Sequence, residues 1–267
     1  MLDRRPSLRS TAVLVALAMA AVLLAVRTLK GVKQPSGIEL EREVVFNGRT
    51  CYEARVARVP NGEEIWLQSG RRIVIQGADS PKGREVVPAV QALEELLLGR
   101  RVVVCPCRRA PQDRHGRWRA QVFLGDVSVA EYLLERCIVD LHYFGKCDSE
   151  IADRLYAAYF RGFRSGANRC RGKAVIDASE AAEHMGEAAI VEGTIKHART
   201  DRNPLIFSLG GCKIVVFADD RRRLEKSGVD VASWDAGMRL RIFGRIQEYD
   251  GPEIVLRSSV QVLEVSR

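Results

Sequence analysis

Apolar and polar positions alternate with a period of two in three consecutive runs, 52–58, 64–68 and 72–76, which predicts three half-buried strands. The turn signals Pro60-Asn61-Gly62 and Ser69-Gly70 separate them, so the strands are expected to form a β-meander. The period then changes. Pro88 stands where a first helical turn tolerates it, Val90, Leu93, Leu96 and Leu97 share one helical face, and Gly99 supplies the stop. Two further strands, 101–105 and 117–124, flank a charged loop around 111–116. Ser128 is placed to cap a short helix reaching Arg136. Asp148 or Ser149 opens another, whose stripe of Ile151, Leu155, Tyr159 and Phe163 reads as core packing rather than a base-stacking surface. This order predicts a small barrel with helices inserted and appended.

Composition shifts near Lys173, and strand patterns return at 189–196, 205–209, 212–217, 238–247 and 254–265, with a helix-like insert at 221–225. Five strands with one insert fit a second small barrel of the OB type. No sequence repeat links the halves, so any kinship between them is architectural. The fold class expected is mainly β with helices (α+β). Its segments are an N-terminal transmembrane helix within 1–33, a linker at 34–49, a barrel at 50–173 and an OB-like barrel at 174–267.

Among 267 residues, 46% are hydrophobic and 28% charged, a balance that excludes disordered, collagen-like and multi-span membrane classes. The net charge of +8 is unevenly placed: +5 within 1–33, +5 within 34–173 and −2 within 174–267. Much of the positive charge flanks the uncharged run 10–26, where it reads as membrane topology rather than a polyanion site. That run is about the minimum that crosses roughly 30 Å of hydrocarbon. It is read as a single-pass signal-anchor, with a cleaved signal peptide as the competitor because Ala18 and Ala20 form an A-x-A pattern. The basic cluster before it favours an N-terminus inside and a body outside the cytoplasm. Seven cysteines cannot all pair within one chain, and none has zinc-site spacing. In an exported body Cys147 and Cys170, which bracket a predicted helix, could form a disulfide; buried thiols are the alternative.

The run RVARVPNGEEIWLQSGRRIVIQGADSPK (55–82), followed by a helix and then by DRHGR (113–117), resembles the thermonuclease family, the calcium-dependent phosphodiesterases related to micrococcal nuclease. The family pattern is an Asp-Gly-Asp-Thr turn, a strand ending in Arg-x-x-x-x-Asp-x-Pro-Glu, a helix and an Asp-x-Tyr-Gly-Arg loop. The resemblance covers residues 50–170 and implies an OB-type barrel. It also implies a phosphodiester site in which two aspartates bind calcium, a glutamate is the base and two arginines clamp the phosphate.

Position by position, that implied site is altered. Glu63 stands for the first calcium aspartate and Asp79 for the second, so calcium, if bound, is expected on these two. The first clamp arginine falls on Val74, with Arg72 two residues out of phase on the same strand face. Arg117 matches the second. Lys82 replaces the base, and a protonated ammonium cannot take a proton. Glu64 and Glu85, the substitute candidates for the base, read as exposed loop carboxylates. Losing base and clamp costs roughly 10²- to 10⁴-fold each. The expectation is therefore a pseudo-nuclease that binds phosphate or nucleic acid through Lys82, Arg84 and Arg117. The alternatives are a calcium-dependent nuclease with a remodelled site and an envelope scaffold that binds protein.

The C-terminal stretch GRIQEYDGPEIVLRSSVQVLEV (244–265) is similar to nucleic-acid-binding OB domains. Its candidate contacts are Tyr249, Arg241 and Arg245, with Arg202 and Lys213 nearby. Phe207, Phe217 and Phe243 also stand near in strand order, although such phenylalanines read first as core.

Overall fold

Bulges bend the long second strand until it pairs with neighbours on both sides, and that bend closes the first sheet. A computed structural model of the chain describes residues 41–143, 147, 151–170 and 175–267. The expected membrane segment 10–26, the linker residues 31–37, the helix openers Asp148 and Ser149 and the composition break at Lys173 lie outside the described residues. Among the described residues no helix is long and apolar enough to cross a membrane.

The first half contains β1 (Arg42–Phe46), β2 (Arg49–Asn61), β3 (Glu64–Leu67), β4 (Arg72–Ile75) and β5 (Gly77–Asp79). Helix α1 (Val86–Leu97) follows, then β6 (Arg101–Pro106), β7 (Trp118–Leu124) and β8 (Val127–Ser128). Helix α2 (Val129–Glu135), β9 (Asp140–His142) and helix α3 (Ala152–Ser165) complete it. The meander β2–β3–β4 is present, β4 runs parallel to β7, β7 pairs with β6, and β6 returns to β2. This is a closed, mixed five-stranded OB-like barrel. Its inner positions are apolar throughout: Ile65, Leu67, Ile73, Ile75, Val102, Val104, Ala120 and Val122 are buried, and Leu93 and Leu97 of α1 close one end. Strand β1, within the expected linker, extends the sheet beside β2.

The second half has β10 (Val175–Asp177), β11 (Ala188–Thr194), β12 (His197–Arg199), β13 (Leu205–Ser208) and β14 (Lys213–Val216). Helix α4 (Ala218–Lys226), β15 (Arg239–Arg245), β16 (Gln247–Glu248), β17 (Pro252–Val255) and β18 (Val262–Ser266) follow. β11 pairs with β15 while β12, two residues on, pairs with β13; β15 and β16 are divided between the same two sheets. β14 lies parallel to β17, as β4 does to β7, and each half has a helix after its third barrel strand. The kinship of the halves is therefore in strand order. The single strand expected at 254–265 is broken, because the Ser258 side chain accepts from the Val260 amide and forms a capping box with Gln261 around a 3₁₀ turn.

Three disulfides cross the first half: Cys51–Cys105, Cys107–Cys147 and Cys137–Cys170, with Cα separations of 4.4, 5.0 and 5.9 Å. The expected Cys147–Cys170 pair is thereby corrected. The 14 residues of α3 span about 21 Å, so cysteines at its two ends are far beyond bridging range. Helix α3 instead lies against α2, where a Cβ on Gly162 would come within 2.8 Å of the Glu135 carbonyl oxygen. That close approach sets Cys170 beside Cys137. Cys212 is a buried free thiol.

All described residues belong to one compact unit, Leu40–Arg267. The two halves share core. On β15, Leu240 and Ile242 face the core of the second half, while Phe243 points the other way and packs on Tyr159, Phe160 and Phe163 of α3 at centroid distances of 5.6, 4.9 and 5.1 Å. Ala188 and Ile190, on β11 beside it, join the same cluster. Arg245 and Asp79 (2.5 Å) and Ser258 and Asp153 (2.5 Å) add polar contacts across the seam.

Candidate binding face and cleft

The β2–β3 turn is built by Asn61, whose Oδ1 accepts the Glu63 amide at 3.0 Å. Gly62 is required there: a Cβ would come within 2.7 Å of the Ala89 Cβ on α1. The Gly62 amide donates to Ser80 Oγ at 3.2 Å, and the Ser80 amide donates to Glu63 Oε2 at 2.8 Å. The turn is thus tied to the segment after β5. Together they wall a cleft of about 350 Å³ that also receives Asp79, Asp113, Arg117, Arg119, His142 and Gln76. Glu63, Asp79 and Arg117 therefore meet in one place. Lys82 and Arg84 are exposed at the 3₁₀ turn preceding α1 and do not line this cleft.

Each meeting residue already has a partner. Arg117 donates from Nε to Asp113 Oδ2 (2.7 Å) and from Nη1 to Glu64 Oε2 (2.9 Å). Asp113 also accepts the amides of His115 and Arg117, so the DRHGR loop folds around its own aspartate. Asp79 accepts from Arg245, whose Nε donates to the Gly186 carbonyl. Gln76 is buried, and its Nε2 has no hydrogen-bond partner among the described residues. Among the described residues no group of three or more His, Cys, Asp or Glu is arranged to hold a metal ion.

Glu64 departs from the sequence reading. It is on β3, only 2% exposed, whereas a loop carboxylate was expected. Its Oε1 accepts from Trp66 Nε1 (2.8 Å) and Arg72 Nε (2.9 Å). Arg72 and Arg117 thus converge on one carboxylate, and the charges of the pair are met by Glu64 and Asp113. Burial would raise the Glu64 carboxyl, but hydrogen bonds from Arg72, Arg117 and Trp66 outweigh it and hold the group below the usual range. Burial likewise opposes the fall at Asp113, where Arg117 wins, and Arg117 itself is raised by its two carboxylates against its own burial. Glu85 is exposed and pairs with Arg169, which also reaches Asp140.

The residue that sequence reasoning passed over is Trp66. Glu64 and Trp66 are two apart on β3 and share its outer face, where Trp66 is paired with Arg58 on β2 and Arg72 on β4. Both guanidiniums approach the indole, at 5.0 and 5.5 Å from its centroid. This row of Arg, Trp and Arg runs across the strands of the barrel's outer face, and Arg58 has no ion-pair partner among the described residues.

In the second half Tyr249 is 75% exposed on the turn before β17. Arg241 pairs with Glu192 and Arg245 with Asp79, so neither is an unpaired cation. Phe207 and Phe243 are core, as phenylalanines in alternating strands read first; Phe217 is partly exposed. Compared with family models and with curated proteins, the chain matches none.

Proposed function

We propose that the protein binds single-stranded nucleic acid on the outer face of its first barrel and does not hydrolyse it. The carrying observation is the Arg58, Trp66, Arg72 row. An indole offers any base a stacking surface, and flanking guanidiniums hold the backbone phosphates. The row crosses the first three strands of an OB-like barrel, with Trp66 and Arg72 on the second and third, a face that such barrels use for oligonucleotides. Lys82 and Arg84, exposed beside the turn, extend the positive surface in the thermonuclease-like reading, whereas Arg117 is held by Glu64 and Asp113. The absence of cleavage follows from Lys82 at the base position and from the ion pairs that occupy Arg117 and Asp79. Three disulfides support a body in an oxidising compartment, outside the cytoplasm, held to the membrane by the segment at 10–26.

Fluorescence anisotropy of a labelled oligothymidylate with the full chain tests this. Trp66→Ala is expected to weaken binding roughly tenfold or more, as stacking on an aromatic contributes about 1–3 kcal/mol per base. Affinity is expected to fall with added salt in both proteins. Equal affinity in the variant removes the proposed face.

A second reading rests on the convergence of Glu63, Asp79 and Arg117 in one cleft: a calcium-dependent phosphodiesterase in which ligand binding releases Asp79 from Arg245. Its signature is a calcium isotherm for the full chain that is lost in Asp79→Ala; no calcium binding by the unaltered chain removes it.

A further inference from the structure

The seam between the two halves holds a cavity of about 430 Å³, separate from the Trp66 row. That size suits a small organic ligand. The first half contributes Tyr143, Tyr156 and Tyr159, and the second contributes Met185, Val255 and Arg257. The walls are held apart by fixed contacts, since Phe243 is packed into α3 on one side and Arg245 is bonded to Asp79 on another. The cavity therefore exists without a ligand to open it.

Two features define what it would take. Tyr156 is only 9% exposed, and its hydroxyl has no hydrogen-bond partner among the described residues. Tyr156 lines the cavity, where a ligand acceptor can take the place of water as the partner of its hydroxyl. Burial keeps this phenol protonated, hence a donor. The second feature is charge: Arg257 lines the cavity and shares the buried Asp220 carboxylate, at 3.5 Å, with Arg223, so it is only partly neutralised, while Arg245 is held by Asp79 and Glu248 is the carboxylate of the lining. The Arg223 and Arg257 guanidiniums also lie 5.7 and 5.9 Å from the Tyr143 ring. Tyr143, Met185 and Val255 supply the apolar part of a lining that also holds His142, Gln247, Glu248 and Gln261.

We infer that this cavity binds a small anion with an aromatic body, its anionic group toward Tyr156 and Arg257 and its ring against the apolar wall. Mononucleotides and aryl carboxylates share that chemistry. Calorimetric titration of the full chain with adenosine 5′-monophosphate, benzoate and inorganic phosphate tests it. Saturable binding of either aromatic anion is expected, with inorganic phosphate at least tenfold weaker, and the nucleotide and benzoate arms tell the two sources apart. Tyr156→Phe, which removes one oxygen, is expected to weaken binding about tenfold, the usual scale for one hydrogen bond. Arg257→Gln removes the cation that faces the same anionic group and is expected to weaken it similarly. Trp66→Ala is expected to leave it unchanged, which separates this site from the barrel face. No saturable binding of either aromatic anion, phosphate bound as tightly, unchanged affinity in Tyr156→Phe or Arg257→Gln, or loss in Trp66→Ala would each overturn the inference.

Discussion

Phe243→Ala is expected to destabilise the protein by about 3–5 kcal/mol, the range for removing a fully buried aromatic ring from a core. Phe243 is 0% exposed and touches three aromatic rings of α3, so the cavity it leaves is walled by side chains that belong to the other half of the molecule. Those rings are on a helix anchored by the Cys137–Cys170 disulfide and by its contact with α2, and they cannot collapse freely into the gap. At about 2–4 °C per kcal/mol for a body of this size, the melting temperature should fall by roughly 10 °C. Because the ring joins the two cores, the unaltered protein should melt in one transition and the variant in a broader one, with the second half leaving first. A variant that melts within 2 °C of the parent, as read by circular dichroism, would show that the seam contributes little.

Glu64→Gln carries the second large effect. The carboxylate accepts three hydrogen bonds while almost fully buried, and the amide would turn an N–H toward a guanidinium that needs an acceptor. Breaking a buried ion pair from one side costs about 3–5 kcal/mol. Arg72 is half-exposed and can be rehydrated, which brings the expectation down to about 2–3 kcal/mol. The pH dependence has a definite sign. The folded-state pKa of Glu64 is held below its ordinary value, so its contribution is fully present above the unfolded value of about 4.3 and is lost as pH falls through the folded value. Urea midpoints for the two proteins should therefore differ most at neutral pH and converge below about pH 4. Asp220 and Glu253, whose carboxyls burial raises, act in the opposite direction in both proteins, so the difference between the proteins is the quantity to read. A gap that stays constant from pH 7 to pH 3 would mean that the ion pairs do not supply it.

The barrel was legible because its strands are bounded by turn residues whose backbone roles are local: Asn61 and Gly62, Gly70, Gly99 and Ser128 each act as the alternation and helical spacing require. Arg241, Phe243 and Arg245 were also legible as sharing one face of β15. What covers that face was not. The alternation gives the side of the sheet, and only tertiary packing decides that α3 of the same chain, rather than a ligand, meets Phe243. The Cys137–Cys170 disulfide was illegible for a related reason, since it follows from how α2 lies on α3, and Cys51–Cys105 follows from the register of β2 on β6. Glu64 was misread as exposed because charge usually means solvent; its burial depends on two arginines, one from β4 and one from a loop 53 residues away. Trp66 and Arg58 were within reach of the sequence. Strand pairing across β2 and β3 places them together, but the register passes through bulges that the pattern does not reveal.

The most direct test of the central claim is incubation of the full chain with labelled single-stranded DNA, in calcium or in chelator, beside Asp79→Ala, followed on both native and denaturing gels. The account predicts a retarded, intact strand in every lane, weakened by salt and indifferent to chelator. Calcium-dependent shortening of the strand that disappears in Asp79→Ala would contradict it, and would make the cleft of Glu63, Asp79 and Arg117 an active site.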